Sequence, residues 1–312
     1  MAGLVALRSG SASAGTIIAA ILVTGVAAAP LRDLGRVEEY RHNARVATEK
    51  LRQFLAGAGR LVEPSAARDL EPGPGRLELV DVAVLGGALN GVSVTAAPGQ
   101  TIAIVGPNGA GKSSLLAIAA RLVDPDRGRV LLDGQDLTAC RISSVRRAIG
   151  IFGPELPLLR GTILSNLTYR WRDAPHDEVD RVVELCGVDA LLARLPDGER
   201  TRIREGGVGL SLGERTRIAL ARALLGSPRL LLLDEADANL DPASVRIVDR
   251  ILAAHGGTAL VVTHRRERFV EADAIWHLDA GVLVESGPPA SLLAAAQGPT
   301  ARLFVDHPEL VG

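Results

Sequence analysis

Gly106-Pro107-Asn108-Gly109-Ala110-Gly111-Lys112-Ser113 is the stretch of sequence that decides the fold. It matches the pattern G-x-x-x-x-G-K-[ST] in full, and it lies between an apolar run, residues 101–105, that predicts a strand and an apolar stretch, residues 114–122, that predicts a helix. Glycines let the backbone curl so that successive amide N–H groups point inward, next to the positive N-terminus of the helix. The stretch therefore predicts a loop that binds the phosphates of a nucleoside triphosphate.

Individual side chains of this loop have separate expected roles. Lys112 is expected to bridge the outer phosphates as a point charge, and the hydroxyl of Ser113 is expected to ligate Mg²⁺. The other residues predicted to contact the nucleotide here are Gly106, Pro107, Asn108, Gly109, Ala110, Gly111 and Ser114. The loop alone indicates a nucleotide and does not say what the nucleotide is for.

Two acidic residues end a second apolar run. Residues 230–233 are all leucine and are followed by Asp234 and Glu235, which predicts a buried strand. Ligands of α/β sheets gather at the carboxyl ends of strands, so Asp234 is expected to hold Mg²⁺ beside the phosphate loop, directly or through water. Glu235 is placed to polarise the attacking water as a general base. His264 follows a third apolar run, residues 258–263, and is expected to contact the γ-phosphate.

The remaining pattern alternates between strands and helices. Residues 77–84 alternate in the manner of a strand, whereas residues 173–192, 211–225 and 290–297 have helical patterns. Strands that alternate with helices predict an α/β fold with a mostly parallel sheet.

A further segment identifies a family. Gly207-Val208-Gly209-Leu210-Ser211-Leu212-Gly213-Glu214-Arg215 precedes the predicted helix that leads to Asp234. With the phosphate loop, the Asp-Glu strand, Asn239-Leu240-Asp241 and His264 in a fixed order, this segment resembles the signature of the ABC ATPases. The resemblance covers residues 77–293.

The resemblance implies a P-loop NTPase of the ABC type. A RecA-like sheet core would carry Lys112 and Glu235, and an α-helical signature subdomain, residues 141–223, would carry Ser211. ATP and Mg²⁺ would then be shared between two such domains, in a homodimer or a heterodimer. The residues implied to serve the nucleotide from the signature and from the D-loop are Ser211, Gly213, Glu214 and Asp241.

Finer features resemble the exporter branch of this family. Residues 201–207, with Glu205, resemble the loop that contacts coupling helices in exporters, and residues 161–167 resemble the segment after the exporter Q-loop. The implied function is ATP hydrolysis that couples domain dimerisation to export across a membrane. Two alternatives stay open: a non-catalytic or weakly hydrolysing regulatory module in an asymmetric pair, and a soluble ABC-type ATPase that acts on nucleic acid.

Three departures from the family pattern bear on turnover. Residues 77–105 contain no aromatic residue to stack on adenine near Leu85 or Gly86. No glutamine occurs at residues 153–155, where the Q-loop is expected, and Glu155 is the available substitute. The signature has Leu212 and Glu214 where glycine and glutamine are usual, and Glu214 is expected to cap the helix start. These changes predict a site that binds or hydrolyses ATP more weakly.

Residues 9–31 contain no charged residue and are long enough to cross a bilayer of about 30 Å as a helix. We interpret them as a transmembrane helix, with a cleaved secretory signal or a buried core helix as alternatives. The basic residues that follow predict that the rest of the chain is cytoplasmic. The predicted domains are residues 1–62, a transmembrane helix with a cytoplasmic helical extension; 63–76, a proline- and glycine-rich linker; and 77–312, the nucleotide-binding domain.

Composition limits the possible partners. The 35 basic and 36 acidic residues give a net charge of -1, which offers no general attraction to nucleic acid. Cys140 and Cys186 have no CxxC spacing, which argues against a disulfide framework and a cysteine zinc site. One helix cannot form a translocation path, so the other membrane helices are expected from an upstream segment or a partner chain in the inner (plasma) membrane. The transported substrate is not predicted.

Overall fold

The computed structural model describes residues 13, 15, 16, 18, 19, 22, 23, 61, 63–84, 86–154, 156–238, 240–295 and 297–306. The chain divides into two compact units, Met1–Arg60 and Leu61–Gly312. In the first unit, residues 15, 16, 18, 19, 22 and 23 are helical. None of the helices within the described residues has both the length and the apolar character needed to cross a bilayer. The predicted transmembrane helix, 9–31, and the helical extension after it lie mostly outside the described residues and stay predictions.

The second unit contains the strands and helices of the nucleotide fold. Its strands in the described residues are β1 (Leu77–Val84), β2 (Leu89–Ala96), β3 (Thr101–Val105), β4 (Arg127–Leu132), β5 (Gln135–Asp136), β6 (Ile149–Phe152), β7 (Gly161–Thr162), β8 (Arg202–Ile203), β9 (Leu230–Asp234), β10 (Thr258–Val262), β11 (Ala274–Asp279) and β12 (Val282–Gly287). Its helices are α1 (Lys112–Ala119), α2 (Ile142–Ala148), α3 (Ile163–Leu167), α4 (His176–Leu185), α5 (Asp189–Leu192), α6 (Leu212–Leu224), α7 (Pro242–Ala254), α8 (Arg266–Glu271), α9 (Pro289–Ala294) and α10 (Pro299–Asp306). Short 3-10 turns lie at Leu137–Ala139, Thr168–Arg170, Gly198–Arg200 and Glu205–Gly207.

A six-stranded sheet forms the centre of this described unit. Its strand order is β12-β11-β3-β10-β9-β6, and its neighbours are parallel except for the antiparallel pair β11 and β12. The prediction of a mostly parallel α/β sheet is confirmed. A separate antiparallel sheet, β2-β1-β4-β5, was not predicted.

Burial explains why the apolar runs form the central strands. All five residues of β9 and all five of β10 are buried, because parallel strands are covered on both faces. Leucines 230–233 lie on alternate faces, so Leu230 and Leu232 join the core around α1, whereas Leu231 and Leu233 join the core of the helical region. The strand therefore links the two cores and fixes the position of the acidic residues that follow it.

The predicted helix at residues 173–192 is two helices in the structure. Helix α4 ends at Leu185, and α5 begins at Asp189. Gly187 between them has a φ of 64°, a left-handed conformation that ends a helix. The buried face of α4 still packs on α6, as its apolar spacing predicts.

The stretch predicted as a linker, residues 63–76, makes several contacts with the rest of the second unit. The amide groups of Gly75 and Arg76 both donate to Oδ1 of Asp133 at 2.8 Å. The Thr258 hydroxyl donates to the carbonyl oxygen of Gly75 at 2.7 Å. The end of residues 63–76 is thus fixed beside Thr258, the first residue of β10. The domain boundaries remain a prediction.

Candidate nucleotide-binding site

The phosphate loop lies between the end of β3 and the start of α1, as its sequence predicts. Gly111 immediately precedes the helix and has a φ of 98°. A Cβ at this position would lie 2.2 Å from the carbonyl oxygen of Ala88, so the loop can approach the turn before β2 this closely only with glycine. The amide of Gly281 donates to the carbonyl of Ala110 at 3.1 Å and holds the loop from its other side.

Lys112 is buried at the first position of α1. Its Nζ donates to the carbonyl oxygens of Gly106 at 2.8 Å and Pro107 at 2.9 Å. Burial lowers the pKa of Lys112, and the nearby charges of Glu235 and Asp234 partly offset this by raising it. The fold thus brings the ammonium group close to both predicted carboxylates.

Ser113 and Asp234 supply the oxygen atoms predicted to hold Mg²⁺. Ser113 is exposed in the first turn of α1, and Asp234 is buried at the carboxyl end of β9. The described residues contain no group of three or more His, Cys, Asp or Glu suited to a metal. A hydroxyl and one carboxylate fit a Mg²⁺ ion that takes its remaining ligands from phosphates and water.

Glu235 and His264 meet at the ends of neighbouring strands. Asp234 is paired with Val262 in the parallel register of β9 and β10, so the chain leaves both strands side by side. Oε1 of Glu235 lies 3.3 Å from Nε2 of His264. Both side chains are partly exposed, at 40% and 36% respectively. Glu235 has a φ of 51°, a left-handed conformation that is costly for a residue with a side chain.

The predicted signature residues cap helix α6. Ser211 is the N-cap: its Oγ accepts from the amide of Glu214 at 3.2 Å, and Glu214 accepts from the amide of Ser211 at 2.9 Å. The hydrogen bond from the Ser211 amide, together with Arg194, holds the pKa of Glu214 below its usual value. The expected capping role of Glu214 is confirmed.

Asp241 lies against this signature. Its carboxylate caps α7 by accepting from the amides of Ala243 and Ser244 and from the Ser244 hydroxyl, each at 2.9 Å. These hydrogen bonds, mainly those from Ser244, lower the pKa of Asp241. A Cβ on Gly213 would lie 2.8 Å from Oγ of Ser244 and 3.2 Å from Oδ2 of Asp241. The signature and the D-loop therefore form one cluster within the chain.

Residues 89–238 match the model of the ABC transporter family. The chain belongs to the ABC transporter family. This assignment agrees with the fold and with the phosphate loop, signature and strand-end carboxylates described above. The ATP-binding domain of an ABC transporter accounts for these features together.

Similar ABC transporters include two curated proteins. The mycobactin import ATP-binding/permease protein IrtB of Mycolicibacterium thermoresistibile is 41% identical over 242 residues, which cover 77% of this chain and 41% of that protein. The ATP-dependent lipid A-core flippase of Pseudomonas aeruginosa is 34% identical over 302 residues, which cover 94% of this chain and 50% of that protein.

A solved structure of a bacterial Atm1-family ABC exporter with ATP bound is also similar. Its TM-score is 0.73 at 32% sequence identity, and the match covers 86% of this chain and 48% of that one. The chain thus spans about half the length or less of each of these relatives.

Some features of the ABC site lie beyond what the structure describes, and others were missed from the sequence. Leu85, Glu155 and Asn239 lie outside the described residues. Sequence reasoning missed Asp237 and Arg268, which form a buried ion pair and lie close in the chain to Glu235 and His264. Their only sequence signal is that each is a charged residue close to a predicted site residue.

Proposed function

We propose that this chain binds and hydrolyses ATP as the nucleotide-binding part of an ABC exporter. The observation that carries the proposal is the meeting of Lys112, Asp234, Glu235 and His264 at one edge of the central sheet, with Glu235 Oε1 3.3 Å from His264 Nε2. A purely structural edge has no chemical need for a buried lysine, two carboxylates and an imidazole in one place.

In the proposed reaction, the loop amides and Lys112 bind the β- and γ-phosphates of ATP. The oxygen of a water molecule attacks the γ-phosphorus, the bond from this phosphorus to the bridging oxygen breaks, and ADP leaves. Glu235 orients the water and accepts its proton, while His264 contacts the γ-phosphate oxygens. Mg²⁺, held by Ser113 and Asp234, would neutralise charge on the phosphates.

The proposed partner in hydrolysis is a second nucleotide-binding domain. Ser211 is exposed at the N-terminus of α6, and helix N-termini favour phosphate. Gly213 and Asp241 lie against each other next to it. This surface would serve the nucleotide held by the opposite domain, so that ATP joins the two domains and its hydrolysis releases them.

A groove between the central core and the helical region would receive the membrane domain. It has a volume of about 360 Å³ and is lined mainly by apolar groups, including Leu159 and Tyr169, which are 41% and 58% exposed. Arg222 also lines the groove and donates hydrogen bonds to the carbonyl oxygens of Leu156 and Pro157. Its proposed occupant is the cytoplasmic end of membrane helices, supplied by an upstream segment or a partner chain.

The predicted helix at residues 9–31 would place the chain in the plasma membrane, with the nucleotide domain in the cytoplasm. The names of the two curated relatives concern mycobactin import and a lipid A-core flippase. Export is the direction that the exporter-like loops support, and uptake is the second candidate because one relative is named for import. ATP-driven accumulation of the transported substrate inside inside-out vesicles would support export, whereas ATP-driven loss of the substrate from these vesicles would support uptake.

The test of the proposal is ATP turnover by the full chain purified from membranes together with its partner. Glu235→Gln should lower the rate about 100-fold and leave ATP binding intact. Glu271→Gln, an exposed glutamate on α8, is the control and should retain the wild-type rate. Equal rates for the Glu235→Gln variant and the wild type would instead favour the non-catalytic module.

A further inference from the structure

A buried polar cluster joins the two chain segments that carry the proposed hydrolytic residues. Oδ2 of Asp237 lies 3.2 Å from Nε of Arg268, and these side chains are only 3% and 7% exposed. The hydroxyl of Thr263 lies 3.0 Å and 3.1 Å from the two carboxylate oxygens of Asp237, to which it donates. Arg268 also forms an ion pair with Asp249. We refer to Asp237, Thr263, Arg268 and Asp249 as the Asp237 cluster.

This cluster joins the segments that carry the site. Asp237 lies two residues after Glu235, and Thr263 immediately precedes His264. The hydroxyl of Thr263 also accepts from the amide of Arg265 at 3.1 Å, so it fixes the backbone on both sides of His264. Asp249 lies on α7, the helix that Asp241 caps. Arg268 therefore connects the Glu235 loop, the His264 loop and the D-loop helix.

The backbone of Glu235 needs such support. Its φ of 51° is sparsely populated by residues with a side chain, and conformations of this kind persist where the surroundings over-determine them. Its amide donates to the carbonyl of Val262 at 2.9 Å, and its own carbonyl accepts from the amide of Ala238 at 3.1 Å, within the same loop. The Asp237 cluster supplies a further attachment, two residues along the chain.

A buried ion pair is also a weak source of stability. Removing two charges from water costs free energy that their attraction often only balances, so well-packed apolar residues frequently serve as well. The Asp237 cluster provides geometry beyond stability, because Arg268 donates a directional hydrogen bond from Nε to Asp237 and also forms an ion pair with Asp249.

We propose that Asp237 and Arg268 are positioning residues, which hold Glu235 and His264 in the arrangement needed for hydrolysis. This inference rests on the proposed ATPase function of the same site. Neither residue touches the nucleotide in this role. Loss of the Asp237 charge lets the two loops separate, so it lowers the rate of the chemical step and leaves nucleotide binding to the phosphate loop unchanged.

The test compares Asp237→Asn with a matched ion pair elsewhere. Asp133 and Arg229 have the same Nε to Oδ2 distance, 3.2 Å, and side chains that are 8% and 13% exposed. Arg229 immediately precedes β9, so this pair lies at the opposite end of the strand from Glu235. Asp133→Asn therefore removes a similar buried charge without touching the hydrolytic loops.

Both variants are expected to lower the Tm of the full chain. Asp237→Asn should lower kcat about tenfold with the KM and the Kd for ATP within twofold of wild type, whereas Asp133→Asn should retain kcat. A rate for Asp237→Asn that matches that of Asp133→Asn would overturn the inference and leave the cluster with a structural role only.

A second measurement does not depend on turnover. In the full chain with ¹⁵N-labelled histidine, the ring signals of His264, assigned with His264→Gln, report its contact with Glu235. Asp237→Asn should move these signals toward their positions in Glu235→Gln, and Asp133→Asn should leave them unchanged. If the His264 ring signals of Asp237→Asn stay at their wild-type positions, the inference is contradicted. A wild-type chain without ATPase activity contradicts the proposed function, and the ring signals then still decide the role of the cluster.

Discussion

The carboxylate of Glu235 and the imidazole of His264 lie 3.3 Å apart, although 28 residues separate them in the chain. Parallel pairing of β9 with β10 accounts for this, since Asp234 and Val262 are in register and both strands end at the same edge of the sheet. The residues proposed as the general base and as the contact to the γ-phosphate therefore belong to one hydrogen-bonded unit.

Replacing His264 tests whether the Glu235–His264 pair is needed for hydrolysis. His264→Ala should lower kcat about 100-fold, because it removes both a phosphate contact and the partner that orients Glu235. The Kd for ATP should change little, since the phosphate loop stays intact. Steady-state ATPase assays and equilibrium binding measure the two quantities. His176→Gln, at the exposed start of α4, is the control; a similar loss in both variants would contradict the assignment.

Lys112 predicts a pH dependence of stability. Burial lowers its pKa, so the folded chain releases this proton at a lower pH than the unfolded chain does. The unfolded state then binds more protons between the two pKa values, and stability rises with pH as it approaches 10.5. The free energy of unfolding of the wild type, relative to that of Lys112→Met, should increase as the pH rises toward 10.5. Urea titrations measure it, and a decrease would show that the lysine pKa is raised instead.

The same substitution should remove nucleotide binding. Lys112→Met deletes the charge next to the phosphates, and hydrogen bonds between charged groups contribute about 1.5–3 kcal/mol each, so the affinity for ATP should fall at least about tenfold. Fluorescent ATP analogues measure the Kd. Arg127→Met, which removes a cation from the exposed pair with Asp81, should retain the affinity. Equal affinities for wild type and Lys112→Met would place the nucleotide elsewhere.

Gly111 tests the geometry of the phosphate loop. Gly111→Ala adds a Cβ that meets the carbonyl oxygen of Ala88 at 2.2 Å, in addition to the strain of a positive φ. Gly134→Ala has a similar φ of 73° and open space around the added atom, so it introduces backbone strain of about 1–2 kcal/mol alone. Gly111→Ala should therefore destabilise the chain more and abolish ATP binding, as thermal unfolding with and without ATP would show. Equal effects of the two variants would contradict the close approach.

Substitution of Ser211 can separate its role in helix stability from its proposed role in dimerisation. Ser211→Ala removes the capping box of α6, which should cost about 1 kcal/mol, and also removes a hydroxyl from the surface proposed to bind the opposite nucleotide. Thr162→Ala removes the capping box of α3 and should cost a similar amount. In the Glu235→Gln background, ATP-dependent dimerisation measured by light scattering should weaken for Ser211→Ala alone. Equal dimerisation by both variants would leave Ser211 as a cap only.

Much of the site could be predicted because its signals are local. The phosphate loop encodes its own conformation through Gly111, and the leucines of β9 predict a buried strand that ends in two acids. The meeting of Lys112 with these acids followed from a general property of parallel sheets, in which the carboxyl ends of strands share one edge. These predictions needed no knowledge of which side chains pair.

The missed features depend on contacts between distant residues. Asp237 and Arg268 are 31 residues apart, and nothing in the spacing of either one indicates the other. The antiparallel pairing of β1 with β4 joins Leu77 to Leu132 across a long connection that contains β2, β3, the phosphate loop and α1. The left-handed backbone of Glu235 is imposed by its surroundings and not by the residue type, so the sequence carries no sign of it.

The attachment of residues 63–76 has a mechanical consequence. The chain enters the domain where Gly75 accepts a hydrogen bond from Thr258, the first residue of β10. The proposed ATP site begins at the other end of the same strand, after Val262. A movement caused by nucleotide binding can therefore be transmitted to residues 63–76 along β10, all five residues of which are buried.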